Sequence, residues 1–177
     1  RNISCFNFNS LIEYKFSVKE IYQKTLSKPL SFNGIGLHSG LNSKIRILPG
    51  TDTCGIVFKR VDLEKNNLIE ANFNNVTSTT LSTTLQNKQG VKVSTVEHLL
   101  AALYIVGIDS AIIEIDSEEV PIMDGSAKIF LDTLKKTNLK QLNSKIKYLK
   151  ILDKVELKEG EREIKITPKD SFEVDFE

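Results

Sequence analysis

The chain has 177 residues, of which 40% are hydrophobic and 27% charged, which is typical of a globular protein with room for one domain and part of a second. The formal net charge of +1 gives no broad basic surface, so nucleic acid is not expected as a partner. No apolar run approaches the roughly 20 residues of a transmembrane segment. The two cysteines are too few for a disulfide framework and fit a reducing compartment.

The beginning of the chain differs in composition from the rest. Residues 1–22 are rich in Asn, Phe and Lys and show no clean periodicity. Charged residues interrupt the apolar ones, so this segment lacks the apolar core of a secretory signal. We interpret residues 1–22 as an extension of unknown role.

The middle of the chain predicts strands followed by helices. Residues 24–93 alternate apolar and polar side chains between glycine-containing turns, which predicts short strands. From Ser94, apolar residues recur at helical spacing as far as Gly107, a residue type that often ends helices. A strand is then predicted at residues 110–116, and a second helix from about Ser126 to Thr137.

The last part of the chain returns to strands. The polar run at residues 135–145 predicts a linker, and two strands are expected to meet in a hairpin at Glu159-Gly160. The alternating SFEVDFE at residues 171–177 predicts another strand with nothing after it to pair with, so we expect a fragment of a longer protein. The element order predicts an α+β fold, a two-layer arrangement with two helices packed on one face of a sheet.

Two interpretations are open for Glu97 and His98. Ser94 and Glu97 have the spacing of a capping box, in which Glu97 reaches back to the start of the helix and needs no catalytic role. Alternatively, adjacent helix residues point about 100° apart, so a metal held by His98 would leave the Glu97 carboxylate beside a metal-bound water. A catalytic zinc usually has three protein ligands, so this second interpretation needs other ligands.

Two further segments could contribute to a site. NGIGLHSG, residues 33–40, places three glycines around His38, which permits a tight turn and the close approach of a ligand. A lone loop histidine is nevertheless more often a surface or packing residue. In EVPIMDGSA, residues 119–127, Asp124 begins a turn that leads into a helix, and this turn explains Asp124 without catalysis.

Three segments together resemble one family. GIGLHSG, VSTVEHLLAAL and EVPIMDGSA occur in the order and at the separations seen in UDP-3-O-acyl-N-acetylglucosamine deacetylase, LpxC, the zinc amidase of lipid A biosynthesis. The resemblance covers about residues 23–177. It implies two similar α+β domains with the active site between them. Residues 23–142 would form the first deacetylase domain, and residues 143–177 would begin a truncated second domain.

The resemblance also implies roles for individual residues. Glu97 matches the general base of the family, and His98 matches a zinc ligand. His38, Leu81 and Ser82 match positions near the substrate, although several members have a cysteine where Ser82 stands.

Asp124 matches a residue that orders a loop beside the site. The remaining zinc ligands belong to the second domain, so we expect this chain alone to bind Zn²⁺ weakly and to be inactive.

The partner implied by the resemblance is a nucleotide-sugar substrate that carries an acyl chain. The expected location is the cytoplasm of a bacterium of the Gram-negative type, with an organelle of bacterial descent as the lesser possibility. Two alternatives stay open. The chain could be a non-catalytic module that binds a nucleotide sugar, or a degenerate fragment of the deacetylase.

Overall fold

The computed structural model describes residues 21–175. The extension expected at residues 1–22 therefore lies, apart from its last two residues, outside the described part of the chain. Residues 21–146 belong to one compact unit, and residues 147–175 belong to another.

The first unit contains both described α-helices, a short 3-10 helix at Phe73–Asn75 and most of the described strands. Its elements, in chain order, are β1 (Tyr22–Leu26), β2 (Leu30–Ile35), β3 (Asn42–Pro49), β4 (Ile56–Arg60), β5 (Leu68–Glu70), β6 (Val76–Ser78), β7 (Thr84–Gln86), β8 (Lys92–Val93), α1 (Glu97–Val106), β9 (Ala111–Ile115), α2 (Lys128–Leu134) and β10 (Leu139–Lys145). The second unit contains an antiparallel hairpin of β11 (Val155–Glu159) and β12 (Arg162–Ile166).

A five-stranded sheet is the centre of the first unit. Its strand order is β2-β3-β9-β4-β5, and every neighbouring pair is antiparallel except β4 and β9, which run parallel. Strands β6, β7 and β8 form a separate antiparallel sheet, and β1 pairs with β10.

One face of the five-stranded sheet is buried under the helices. On β3, Ile45 and Ile47 are fully buried while Arg46 between them is exposed, as expected when successive side chains alternate between two faces. Leu99 and Leu103 of α1 and Phe130 of α2 belong to the same buried cluster as these isoleucines. The ring of Phe130 meets Phe32 of β2 edge to face, with the ring centroids 5.0 Å apart.

The opposite face of this sheet is polar. Glu114 on β9 lies between Arg46 on β3 and Lys59 on β4, with N···O distances of 3.8 and 3.4 Å. The predicted α+β fold with two helices on one sheet face is therefore confirmed. Among residues 21–175, neither helix is long enough to cross a membrane.

Several local predictions are confirmed and others are wrong. Gly107 ends α1 in the left-handed conformation, at φ 80°, and its N–H bonds to carbonyls of the last turn. The hairpin turn contains Glu159 and Gly160, as expected. The predicted linker at residues 135–145 is wrong, because residues 139–145 form β10 and pair with β1. Residues 171–175 form no strand, so within the described chain the strand predicted at 171–177 is wrong.

Candidate functional site

Helix α1 begins at Glu97, three residues later than the sequence predicts. The N-cap residue is Val96, which offers no side-chain hydrogen bond, so the predicted capping box of Ser94 and Glu97 is wrong. Ser94 is already used in a β-bridge to Glu119: its N–H donates to the carbonyl of Glu118 at 2.8 Å, and its carbonyl accepts from Val120 at 3.1 Å. A backbone held in this way cannot also begin a helix.

The first turn of α1 therefore presents Glu97 and His98 without the capping role that the spacing suggested. Both side chains are partly exposed. The Oε2 atom of Glu97 accepts a hydrogen bond from the backbone N–H of Thr83 at 3.1 Å, so the carboxylate faces the loop between β6 and β7. Since the two residues are adjacent on a helix, their side chains diverge and point to neighbouring regions of the surface.

The loop that Glu97 contacts contains two of the predicted site residues. Leu81 is 85% exposed and has a φ of 64°, a left-handed conformation that is rare for a residue with a branched side chain. Ser82 is partly buried and directly precedes Thr83. The structure therefore brings Leu81 and Ser82 into the same region as Glu97 through the Thr83 contact.

The glycine-rich turn after β2 carries the other histidine. Gly36 donates to the carbonyl of Leu41 at 2.9 Å, and Gly40 donates back to Gly36 at 3.0 Å, which closes a compact loop. Gly40 has a φ of 66°, a conformation that glycine adopts without strain. The side chain of His38 is exposed at the tip of this loop, while its backbone N–H points inwards.

The inward partner of the loop is Glu119, a residue that our interpretation of the sequence did not single out. Its carboxylate accepts from the backbone N–H groups of His38 and Ser39, at 2.9 and 2.8 Å, and from the hydroxyl of Thr95 at 3.0 Å. Burial raises the pKa of the Glu119 carboxyl, but the hydrogen bonds from His38, Ser39 and Thr95 outweigh burial and lower the pKa below its usual value. The carboxylate is therefore ionised and almost wholly buried at neutral pH.

Glu119 could have been suspected from one local signal. In the sequence it is followed by the apolar residues Val120 and Pro121, and the structure buries all three. A charged residue next to two apolar buried residues requires donors to satisfy it. Its donors are more than 20 residues away along the chain, so the sequence alone does not reveal them.

The segment that follows Glu119 links the glycine turn to α2. The N–H of Ile122 donates to the carbonyl of Ile35 at 3.0 Å, which attaches this segment to the end of β2. Asp124 is exposed, and its Oδ1 accepts from the N–H and the hydroxyl of Ser126, at 3.0 and 2.9 Å. Asp124 thus orders its own turn immediately before α2, a local role that needs no catalysis.

The described residues do not by themselves form a catalytic zinc site. His98 offers an imidazole nitrogen of the kind that binds zinc. Within residues 21–175, however, no three His, Cys, Asp or Glu side chains are grouped closely enough to hold a metal ion. A catalytic zinc takes three protein ligands, so His98 fits as one ligand of an incomplete set.

Comparison with known proteins identifies the family. The family described as UDP-3-O-acyl N-acetylglycosamine deacetylase, LpxC, matches residues 23–177. Proteins named UDP-3-O-acyl-N-acetylglucosamine deacetylase from Shewanella frigidimarina (strain NCIMB 400) and Pseudoalteromonas translucida (strain TAC 125) are each 43% identical to this chain, over 156 and 157 residues. A protein of the same name from Pseudoalteromonas atlantica is 42% identical over 156 residues.

The coverage of these alignments is unequal. They include 88 or 89% of this chain but only 51 or 52% of the relatives, so the chain spans about half the length of the curated relatives it matches. The aligned part includes the glycine turn, the start of α1 and the segment after Glu119. Since the family matches all of residues 23–177, the chain belongs to the LpxC family of UDP-3-O-acyl N-acetylglycosamine deacetylases.

Proposed function

We propose that this chain is the base-bearing half of a zinc-dependent deacetylase, which removes acetate from UDP-3-O-acyl-N-acetylglucosamine in lipid A biosynthesis. The observation that carries the proposal is the pairing of Glu97 and His98 at the first turn of α1, with the Glu97 carboxylate directed at the Leu81–Ser82 loop. The names of the relatives supply the reaction and the substrate.

Glu97 is the proposed general base. Its carboxylate would take the proton of a water molecule while the water oxygen attacks the acetamide carbonyl carbon, which gives a tetrahedral oxyanion. Return of this proton from Glu97 to the nitrogen would let the intermediate collapse, which breaks the C–N bond and releases acetate and the free amine of the glucosamine ring. Among the described residues, the hydrogen bond from Thr83 holds the Oε2 atom of Glu97 in place, and the Oε1 atom is proposed to meet the water.

His98 is the proposed zinc ligand of this half. The family is zinc-dependent, and a neutral imidazole is a common zinc ligand. Because residues 21–175 do not complete a ligand set, the other ligands would have to come from outside this range. We accordingly expect the 177-residue chain alone to show no turnover.

The substrate-binding roles of three residues are proposals as well. Leu81 and Ser82 belong to the loop that Glu97 contacts, which supports their proposed contact with the group that is hydrolysed. His38 is exposed on a loop whose backbone Glu119 fixes, so its imidazole is available to a polar group of the nucleotide sugar. Asp124 is proposed to order the neighbouring turn rather than to contact the substrate.

The two-domain arrangement and the cellular location also remain proposals. We retain two domains but move their proposed boundary from residues 142/143 to residues 146/147, because β10 pairs with β1 of the first unit. The proposed location is the bacterial cytoplasm, because the substrate is a nucleotide sugar and the free Cys54 suits a reducing compartment.

A chimera tests this function. The segment matching the Shewanella frigidimarina relative would replace the corresponding half of that protein, and deacetylation of UDP-3-O-acyl-N-acetylglucosamine would be followed with Zn²⁺ present. Glu97→Gln should lower kcat by roughly 10²–10⁴, the usual contribution of a general base. Glu118→Gln is the matched control, because Glu118 is an exposed glutamate that the proposal leaves out of the chemistry.

Two results would overturn the proposal. A folded chimera with no turnover would mean that this half does not support the reaction. Full activity of the Glu97→Gln chimera would show that Glu97 is not the general base.

The main rival is a module that binds a nucleotide sugar without hydrolysing it. It is favoured by the incomplete ligand set within residues 21–175. Binding of the substrate by a folded but inactive chimera would support the rival.

A further inference from the structure

One buried carboxylate joins two parts of the candidate site. Glu119 accepts hydrogen bonds from His38 and Ser39 in the glycine turn and from Thr95 just before α1. The two contacts of the turn are about 80 residues distant in sequence from Glu119, and Thr95 is 24 residues distant. Two of the three donors are backbone N–H groups, whose directions are fixed by the peptide plane, so they constrain position more narrowly than a mobile lysine would.

The glycine turn leaves space for this carboxylate. A Cβ atom on Gly36 would overlap the Oε2 atom of Glu119 and would lie 2.8 Å from its Cδ. Gly36 is not among the glycines with positive φ, so its backbone conformation is open to any residue. Gly36 is therefore required here for the close approach of the carboxylate and not for backbone freedom.

The contact with Thr95 reaches the start of α1. Thr95 has a φ of 57°, which is an outlier for a β-branched residue, and its hydroxyl is held by Glu119 Oε1 at 3.0 Å. Thr95 immediately precedes Val96, the N-cap of α1. Its conformation therefore sets the direction in which the chain begins the helix, and with it the positions of Glu97 and His98.

We propose that Glu119 is a positioning residue of the candidate site, whose carboxylate holds the His38 loop and the start of α1 in one fixed arrangement. The proposal rests on the proposed function in one respect, which is the role given to the two positioned groups: Glu97 as the general base and the His38 loop as a substrate contact. Glu119 bonds both the loop that carries His38 and Thr95, which stands two residues before Glu97. The hydrogen bonds keep the carboxyl ionised despite its burial, as the lowered pKa indicates.

The test uses the 177-residue chain and amide NMR, which requires neither metal nor turnover. Glu119→Gln keeps the shape of the side chain and removes its charge, while Glu118→Gln is the matched control. The N–H groups of His38 and Ser39 should shift and should exchange with deuterium about tenfold faster or more, because charge-assisted bonds are lost. The deciding reporter is the Thr83 N–H, which bonds to Glu97 and not to Glu119.

A shift of the Thr83 N–H in Glu119→Gln, with no such shift in Glu118→Gln, supports the proposal. A merely structural role would lower the stability of the chain but leave the Thr83 signal of the folded molecule in place. An unchanged Thr83 signal beside shifted His38 and Ser39 signals would overturn the proposal, because Glu119 would then hold the turn without positioning Glu97.

Thr95→Val keeps the test decisive if Glu119→Gln does not fold. This change removes one hydroxyl at nearly constant shape and should move both the Thr83 and the His38 N–H signals. If neither signal moves, the proposal is wrong. Loss of deacetylation in the chimera would defeat the proposed function alone, since the amide signals do not depend on turnover.

Discussion

Replacing Gly36 with alanine tests how closely the glycine turn and Glu119 are packed. The added methyl would overlap the Glu119 carboxylate and the hydroxyl of Ser39. Keeping both groups in place would strain the packing, at about 1–3 kcal/mol. Withdrawing the carboxylate would break charge-assisted hydrogen bonds, each of about 1.5–3 kcal/mol. The chain should adopt the less costly response, so we expect a loss of about 1–3 kcal/mol in the free energy of unfolding.

Gly34→Ala is the matched control for this prediction. Its Cβ would lie 3.1 Å from Pro121 Cβ and 3.3 Å from the sulfur of Met123, a flexible side chain that can move aside. We expect Gly34→Ala to change the free energy of unfolding by less than about 1 kcal/mol. Urea denaturation of both variants, with the m-value checked for two-state behaviour, provides the comparison.

A double mutant isolates the clash itself. In a Glu119→Ala background the methyl at position 36 no longer meets a carboxylate, so the loss caused by Gly36→Ala should shrink to the part that comes from the Ser39 hydroxyl. An undiminished loss in that background would refute the reasoning. So would equal losses for Gly36→Ala and Gly34→Ala.

Three further predictions concern the packing of the hydrophobic core, the binding of zinc and the stability of the chain in acid. Phe130→Ala should lower the free energy of unfolding by about 3–5 kcal/mol in urea, because the ring is fully buried and packs on Phe32; a loss below about 1 kcal/mol would contradict this. After chelator washing and exposure to Zn²⁺, the chain should retain far less than one metal ion, with or without His98→Ala; one ion per wild-type chain by elemental analysis would contradict this. The folded-state pKa of Glu119 lies below its usual 4.5, so its stabilisation is complete above pH 4.5 and is lost as the pH falls through the lowered pKa. In Glu119→Gln the free energy of unfolding should therefore fall less steeply as the pH drops below 4.5. The same pH dependence in wild type and variant would show that another group controls the loss of stability in acid.

The parts of the fold that local patterns determine were predicted from the sequence. The spacing of apolar residues in α1 and the position of Gly107 follow from interactions within four residues, and both agree with the structure. The start of α1 did not agree, because Ser94 pairs with Glu119, 25 residues later. A long-range β-bridge thus overrides a local capping signal.

The polar run at residues 139–145 shows the same limit of local reasoning. Its composition resembles a linker, yet it forms β10 by pairing with β1 more than 110 residues earlier. Only three of its seven residues are partly buried, so the strand has little apolar signal of its own. Its backbone hydrogen bonds to β1 define it, and no periodicity in the sequence reports them.

Some residues of the candidate site were predicted from the sequence, and one was missed. The family motifs directed attention to Glu97 and to the loop at Leu81 and Ser82, and the structure connects them through Thr83. Glu119 was missed, because its importance depends on donors contributed by two distant segments. A buried acid beside Val120 and Pro121 is a weak signal until those donors are known.

The pairing of β1 with β10 determines how the first unit would respond to a mechanical force. Tyr22 lies opposite Lys145, and Leu26 lies opposite Leu139, so the first and last strands of the unit meet at the ends where the chain enters and leaves. A pull applied at these two ends would load the hydrogen bonds one after another, beginning with those nearest Tyr22 and Lys145. Strands loaded in this order unzip rather than shear. The first unit should therefore open from this edge at low force, before the five-stranded sheet is disturbed.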